Sequence, residues 1–267
     1  MRWRLPRITE ASLSHDAFLG GRLLVWQPAR GYRAGVDPVL LAAACTARAG
    51  DRVLDLGCGV GTAALCVGTR VGGLSLFGLE RSEAMAALAR RNAAQAELDL
   101  TVFEGDVAAV PASLRELSFD HVICNPPYFR RDSGSRGANA QREAAMGEDT
   151  PLAVWVDTAR RRLKPNGWLT IIQRPERLPD LLSAMGGFGA LALRPILPRE
   201  GRDASLILLR ARKGARTPMR ILSPLVLHKG AAHISDEDDY APTARDILRH
   251  AGPIDWDAGK LLGSPTV

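Results

Sequence analysis

Cysteine is scarce, and the few present form no pattern. The 4 cysteines are Cys45, Cys58, Cys66 and Cys124. No two make a C-x-x-C pair, and none has zinc-ligand spacing to a histidine. This argues against a disulfide framework or a structural zinc, and for reduced thiols in a cytoplasmic protein. Histidine is almost as sparse, at 5 residues. His15, His228, His233 and His250 show no mutual metal spacing, and no metal is expected. No stretch holds 18 uninterrupted apolar residues, so no transmembrane helix and no membrane partner are expected. The basic segment Met1–Arg7 is not followed by the apolar run and small-residue cleavage site of a signal peptide. No self-similarity recurs at a fixed period, which argues against a solenoid or a propeller.

What is present suits a globular enzyme. The 267 residues are enough for one well-buried α/β domain with extensions, and 46% hydrophobic with 24% charged residues is an ordinary balance. The net charge of +6 favours a polyanionic partner. Short apolar runs at Val53–Leu56, Leu74–Leu79, Leu100–Phe103 and His121–Cys124 each end in Gly, Asp, Glu or Asn and read as buried parallel strands. Thr62–Thr69, Glu83–Ala94 and Trp155–Leu163 have helical spacing, the last stopped by Lys164-Pro165-Asn166-Gly167. Trp168–Gln173 reads as a fifth strand. Leu191–Leu197 and Ala204–Arg210 suggest a closing antiparallel pair. Together these predict a doubly wound, three-layer α/β sheet with ligands at the carboxyl ends of its strands. The core is expected over 51–213. Residues 1–50 are expected to form a loop and a helix, Pro38–Arg48, and 214–267 a tail with a helix, Pro242–Ala251. A monomer is expected.

Val53-Leu54-Asp55-Leu56-Gly57-Cys58-Gly59-Val60-Gly61-Thr62 is a strand, an acidic residue and a glycine-rich turn into a helix. Glycines allow positive φ and close approach to a ligand. A dinucleotide site would show G-x-G-x-x-G with pyrophosphate on the helix N-terminus. Here the pattern is G-x-G-x-G, and Asp55 would repel pyrophosphate. It suits a cofactor carrying an ammonium and a sulfonium, S-adenosylmethionine. The stretch resembles the first motif of class I methyltransferases. The resemblance implies a Rossmann-like fold, a mostly parallel seven-stranded sheet ending in an antiparallel hairpin. It also implies that Gly57, Gly59 and Gly61 wrap the amino-acid moiety with help from Asp55. Glu80, at the end of the second strand, is placed to take both ribose hydroxyls. Asp106 matches the family's acidic residue near the adenine amine. The structural reading of Glu80 and Asp106 is a helix N-cap.

Asp120-His121-Val122-Ile123-Cys124-Asn125-Pro126-Pro127-Tyr128 is a buried strand ending in Asn-Pro-Pro-Tyr. It resembles the signature of amino-methyltransferases acting on N6 of adenine, N4 of cytosine or the amide of glutamine. The chemistry explains the residues. An exocyclic amine is a poor nucleophile because its lone pair is delocalised into the ring. The Asn125 side-chain oxygen and the Pro126 carbonyl can each accept one N–H, which favours a more tetrahedral nitrogen aimed at the sulfonium methyl. Pro126 and Pro127 stiffen the turn, and Tyr128 offers a face on which a flipped base stacks. Asn125 is expected to border the cofactor as well. No strong base is required, because the methylated amine loses its proton readily to water.

Gly31-Tyr32-Arg33-Ala34-Gly35-Val36-Asp37-Pro38-Val39-Leu40-Leu41-Ala42-Ala43 is similar to the upstream motif of the bacterial tRNA (adenine-N6)-methyltransferases that act beside the anticodon of a valine tRNA. The resemblance puts Asp37 at a turn over the cofactor; the local reading makes it only the N-cap of the following helix. Arg130, Arg131, Arg136 and Arg142 follow the Asn-Pro-Pro-Tyr turn in a polar loop, where Arg130, Arg131 and Arg142 are candidates to hold RNA phosphates. The implied partner is a tRNA. The alternatives are a protein glutamine N5-methyltransferase of the release-factor type, an enzyme acting on ribosomal RNA or DNA, and a non-catalytic RNA-binding module. Asp55 comes too early to leave room for the helical recognition domain of the first. No large target-recognition domain or duplicated second domain is evident for the next two. The intact Asn125–Tyr128 turn argues against the last.

Overall fold

The computed structural model describes residues 12–30, 33–130, 147–148, 150–230 and 239–257. It opens with an antiparallel hairpin, β1 (Leu13–Phe18) and β2 (Leu23–Pro28), turned through Leu19–Gly21. A loop was the sequence expectation here; the strands hide because one face rests on the molecule and the other meets water, with apolar and polar residues mixed on both. Helix α1 (Asp37–Ala44) follows. It ends four residues before Arg48 because Cys45 turns extended and the Arg70 guanidinium takes the Ala42 carbonyl at 3.0 Å.

The alternating core follows as β3 (Arg52–Leu56), α2 (Thr62–Arg70), β4 (Ser75–Glu80), α3 (Glu83–Gln95), β5 (Leu100–Glu104), α4 (Ala112–Arg115) and β6 (Phe119–Cys124). Beyond the short pair β7 (Phe129–Arg130) and β8 (Gly147–Glu148) come α5 (Leu152–Arg162), β9 (Leu163–Gln173), α6 (Leu178–Ala184), β10 (Phe188–Arg199) and β11 (Leu206–Lys213). The chain finishes with β12 (Arg220–Ile221), β13 (Leu225–His228) and α7 (Pro242–His250). The Lys164–Gly167 segment does stop α5, yet it belongs to β9. Asn166 takes φ 63°, and the ladder to β6 shifts register between Phe119 and His121.

The main sheet runs β12-β10-β11-β9-β6-β3-β4-β5, and β13 also pairs with β10. β9, β6, β3, β4 and β5 are parallel; β11 is antiparallel to both β9 and β10. With 9 strands the sheet is wider than the expected seven. The two extra strands come from the segment after residue 213, and both cover the outer edge of the 12-residue β10, which would otherwise lie bare.

Strand side chains alternate between two cores. Val53, Leu76, Ile123 and Leu208 face α1, α2, α3 and α7; Leu54, Leu79, Val122 and Leu209 face α4, α5 and α6. These are the three layers expected from the sequence. Chain order reverses at β3, which has β4 on one side and β6 on the other. In an open parallel sheet that reversal leaves a crevice at the strands' carboxyl ends.

Candidate active site

Strand register assembles the site. Leu56 is opposite Cys124, and Leu56 is also opposite Leu79. The residues that follow, Gly57, Asn125 and Glu80, therefore emerge side by side on adjacent strands, about 4.8 Å apart from strand to strand. Glu80 is opposite Glu104, which leads to Asp106.

The glycine turn is held by backbone and carboxylate. Gly57 and Cys58 both donate to the Leu79 carbonyl, at 2.8 and 3.1 Å. Gly59 donates to Glu80 Oε2 at 3.0 Å, while Glu80 Oε1 accepts the Ser82 N–H at 2.8 Å. Burial pushes the Glu80 carboxyl up, against the pull of these two N–H groups. Asp55 is 3% exposed and accepts the Ala64 N–H at 3.3 Å. Burial, reinforced by the nearby Glu80 charge, raises it to about 8. The side chain of Ser82, and not that of Glu80, caps α3. Asp106 accepts the Ala108 N–H at 2.8 Å and closes a turn, with no helix to cap.

The glycines differ in what constrains them. All three have positive φ. A Cβ on Gly57 would stand 2.6 Å from the Trp155 ring, so that glycine is closed in by α5. A Cβ on Gly59 would meet nothing within 4 Å. The open space lies beside the turn where a ligand would sit; Glu80 holds the Gly59 N–H at its edge, and Asp55 lies buried behind the turn against α2. Such a cradle fits the cationic amino-acid and ribose parts of S-adenosylmethionine. Thr62, at the start of α2, has a buried hydroxyl with no hydrogen-bond partner among the described residues, so a polar ligand would leave it no worse satisfied.

Asn125 continues β6 and is half-buried. Tyr128 packs against the α1 side of the core, and its hydroxyl donates to Asp37 Oδ2. The N-cap of α1 is Val36, and no side chain caps the helix. Asp37 therefore does not act as the N-cap; its carboxylate faces the Asn-Pro-Pro-Tyr turn. Burial raises the Asp37 carboxyl, opposed by the Tyr128 hydroxyl and the Arg174 charge. The Arg174 guanidinium lies 5.6 Å from the Tyr128 ring centre. Arg130 lies in β7, while Arg131, Arg136, Arg142 and Tyr32 fall outside the described residues.

Sequence reasoning passed over two residues. Gln173, the last of β9, is fully buried and donates to the carbonyls of Pro126 at 3.2 Å and Pro127 at 3.4 Å. A glutamine ending an apolar strand was the available signal. Asn92 on α3 is also fully buried. It binds both the N–H and the carbonyl of Trp26 in β2, at 2.8 and 3.0 Å, and donates to the Val60 carbonyl at 3.0 Å. It ties the hairpin to the glycine turn. Among the described residues no group of three or more His, Cys, Asp and Glu side chains is placed to hold a metal ion.

The family model of the methyltransferase small domain matches residues 35–188. The chain belongs to that family. The methyltransferase is 32% identical over 175 residues to a Porphyromonas gingivalis protein named tRNA1(Val) (adenine(37)-N6)-methyltransferase, covering 62% of the chain and 68% of that protein. A second P. gingivalis protein of that name is 32% identical over 158 residues, 56% of the chain and 61% of its own length. One from Dickeya chrysanthemi is 27% identical over 212 residues, 77% of the chain and 81% of that protein. Among solved structures, a predicted O-methyltransferase from Agrobacterium tumefaciens is 29% identical with a TM-score of 0.66, over 82% of the chain and 98% of its own. The 16S rRNA N2 methyltransferase of T. thermophilus, solved with AdoMet and guanosine, shares the fold at a TM-score of 0.53 and 20% identity, over 75% of the chain and 50% of its own.

Proposed function

We propose that this methyltransferase places a methyl group on the exocyclic N6 of an adenine in tRNA, beside the anticodon of a valine tRNA. The observation that carries the reading is the juxtaposition of the Asn125–Tyr128 turn with the glycine turn, imposed by the pairing of Leu56 with Cys124. The relatives named for this reaction at 27–32% identity support the choice of substrate.

S-adenosylmethionine, when bound, supplies an electrophilic methyl on a sulfonium. Gly57, Gly59 and Gly61 with Asp55 would hold its amino-acid end, Glu80 its ribose, Asp106 its adenine, and Asp37 and Asn125 would border it. Asn125 Oδ1 and the Pro126 carbonyl accept the two N–H bonds of the substrate amine and aim its lone pair. A carbonyl oxygen has two acceptor directions, so Pro126 can serve the amine while Gln173 occupies the other. The sulfonium would supply the methyl and leave as a thioether, and the amine held by Asn125 and Pro126 would release its surplus proton to water. Tyr128, steadied by Asp37, presents its ring to the base. Orientation supplies most of the acceleration. Arg130, Arg131 and Arg142 are assigned to phosphates. The catalytic unit is assigned to 51–213, with 1–50 over the cofactor and 214–267 as an extension, acting as a cytoplasmic monomer. Among the described residues no helix is long and apolar enough to cross a membrane.

The Agrobacterium protein, a predicted O-methyltransferase, suggests oxygen methylation as a second reading. A hydroxyl has one hydrogen, however, and the Asn125–Pro126 pair offers two acceptors. The test is transfer of labelled methyl from S-adenosylmethionine to total bacterial tRNA, followed by nucleoside mass spectrometry. N6-methyladenosine is expected. Label found only in a release factor, in ribosomal RNA or on an oxygen would replace the substrate.

A further inference from the structure

We infer that Gln173 is a positioning residue that sets the direction of the Pro126 carbonyl, and hence the pose of the reacting amine; this rests on the function proposed above. The argument begins with what proline lacks. The ladder between β6 and β9 ends at Cys124 and Ile171, and beyond Asn125 the residues Pro126 and Pro127 have no N–H to extend it. The two prolines keep only their carbonyls by which the protein can grip them. Gln173 stands two residues beyond Ile171, where the next rung would fall. Its Nε2 donates to the two successive carbonyls, at 3.2 and 3.4 Å. Its Oε1 accepts the Arg174 N–H at 2.9 Å, which fixes which end of the amide faces the turn. The side chain is 0% exposed, so no water can substitute. One amide thus replaces the missing strand pairing and leaves the second acceptor direction of Pro126 facing the amine.

Two variants separate this role from simple packing. Gln173→Met keeps length and volume but removes both donors. It is expected to lose roughly 10- to 100-fold in kcat on tRNA, because small displacements of reacting groups are that costly, with cofactor Kd within about 3-fold. Gln173→Glu puts a buried carboxyl against two carbonyl oxygens, which raises its pKa; as it ionises with rising pH it turns a charged oxygen towards them and loses its donor. Protonation restores a donor, so its activity relative to the wild type should climb as pH falls. A flat ratio overturns the inference, and so does an unchanged kcat in Gln173→Met. The crystal structures of the wild type and Gln173→Met, each with S-adenosylhomocysteine, need no tRNA. A rotated Pro126–Pro127 peptide supports the inference, and a superposable one overturns it. A wild type inactive on tRNA defeats the substrate reading alone. Should Gln173→Met fail to fold, the pH series of Gln173→Glu decides.

Discussion

Single side chains carry the chemistry, and their environments make it testable. Asn125→Ala removes one of the two proposed acceptors and leaves the glycine turn untouched. Turnover should fall by at least about 100-fold, while cofactor affinity measured by calorimetry stays within a few-fold. Equal loss of both would make Asn125 structural. Asp55 gives a pH prediction. Its folded carboxyl titrates at about 8 because it is buried beside Glu80, against an ordinary value near 3.9 in the unfolded chain. The native state therefore holds that proton longer. The contribution of Asp55 to the stability of the cofactor-free protein is fully present below about pH 4 and is lost as pH rises towards about 8. Asp55→Asn should flatten that slope in a series of thermal melts. A parallel slope in the variant would mean other groups set it.

At the scale of elements, the core strands and helices were legible because burial on both faces leaves short, mostly apolar runs, as in Val53–Leu56 and His121–Cys124. The glycine and Asn-Pro-Pro-Tyr turns were legible for a related reason, since special backbone needs special residues. The hairpin β1–β2 was not, because apolar and polar residues are mixed on both its buried and its exposed face. Nor were β12 and β13, which are too short to show a period and pair with β10 only across a gap in sequence. The partnerships of Asn92 and Gln173 were equally hidden, because a side chain's link to a distant backbone leaves no local pattern. Asn92 also shows how the hairpin is attached: it meets the Trp26 peptide as a neighbouring strand would. Asn92→Ala strands that peptide and is expected to cost roughly 2–4 kcal/mol, read by urea denaturation. A cost below about 0.5 kcal/mol would show that water takes over the amide's work.

For the whole molecule, the segment after residue 213 is part of the fold. Ile254 donates its N–H to the Ala43 carbonyl at 2.8 Å, and the Trp256 indole donates to Ala44 at 2.9 Å. These contacts finish the last turn of α1, the helix that begins with Asp37. Trp256 is 2% exposed and lies 4.7 Å from the Arg210 guanidinium. Trp256→Ala should cost roughly 3–5 kcal/mol and lower the midpoint of a cooperative melt. A broad, two-step melt would instead mean that the tail unfolds separately from the sheet. Close by, Arg22 reaches the His250 carbonyl at 3.1 Å and the Thr69 carbonyl at 3.4 Å, so hairpin, α2 and α7 are joined at one point.

The two prolines of the catalytic turn have a spectroscopic consequence. Pro126 and Pro127 contribute no amide proton, so the segment most central to the proposed reaction is dark in a proton–nitrogen correlation spectrum and in amide exchange. The nearest reporters are the side-chain NH2 pair of Gln173 and the backbone amides of Asn125 and Tyr128. Slow exchange of that buried glutamine pair with deuterated solvent would measure how often the turn opens.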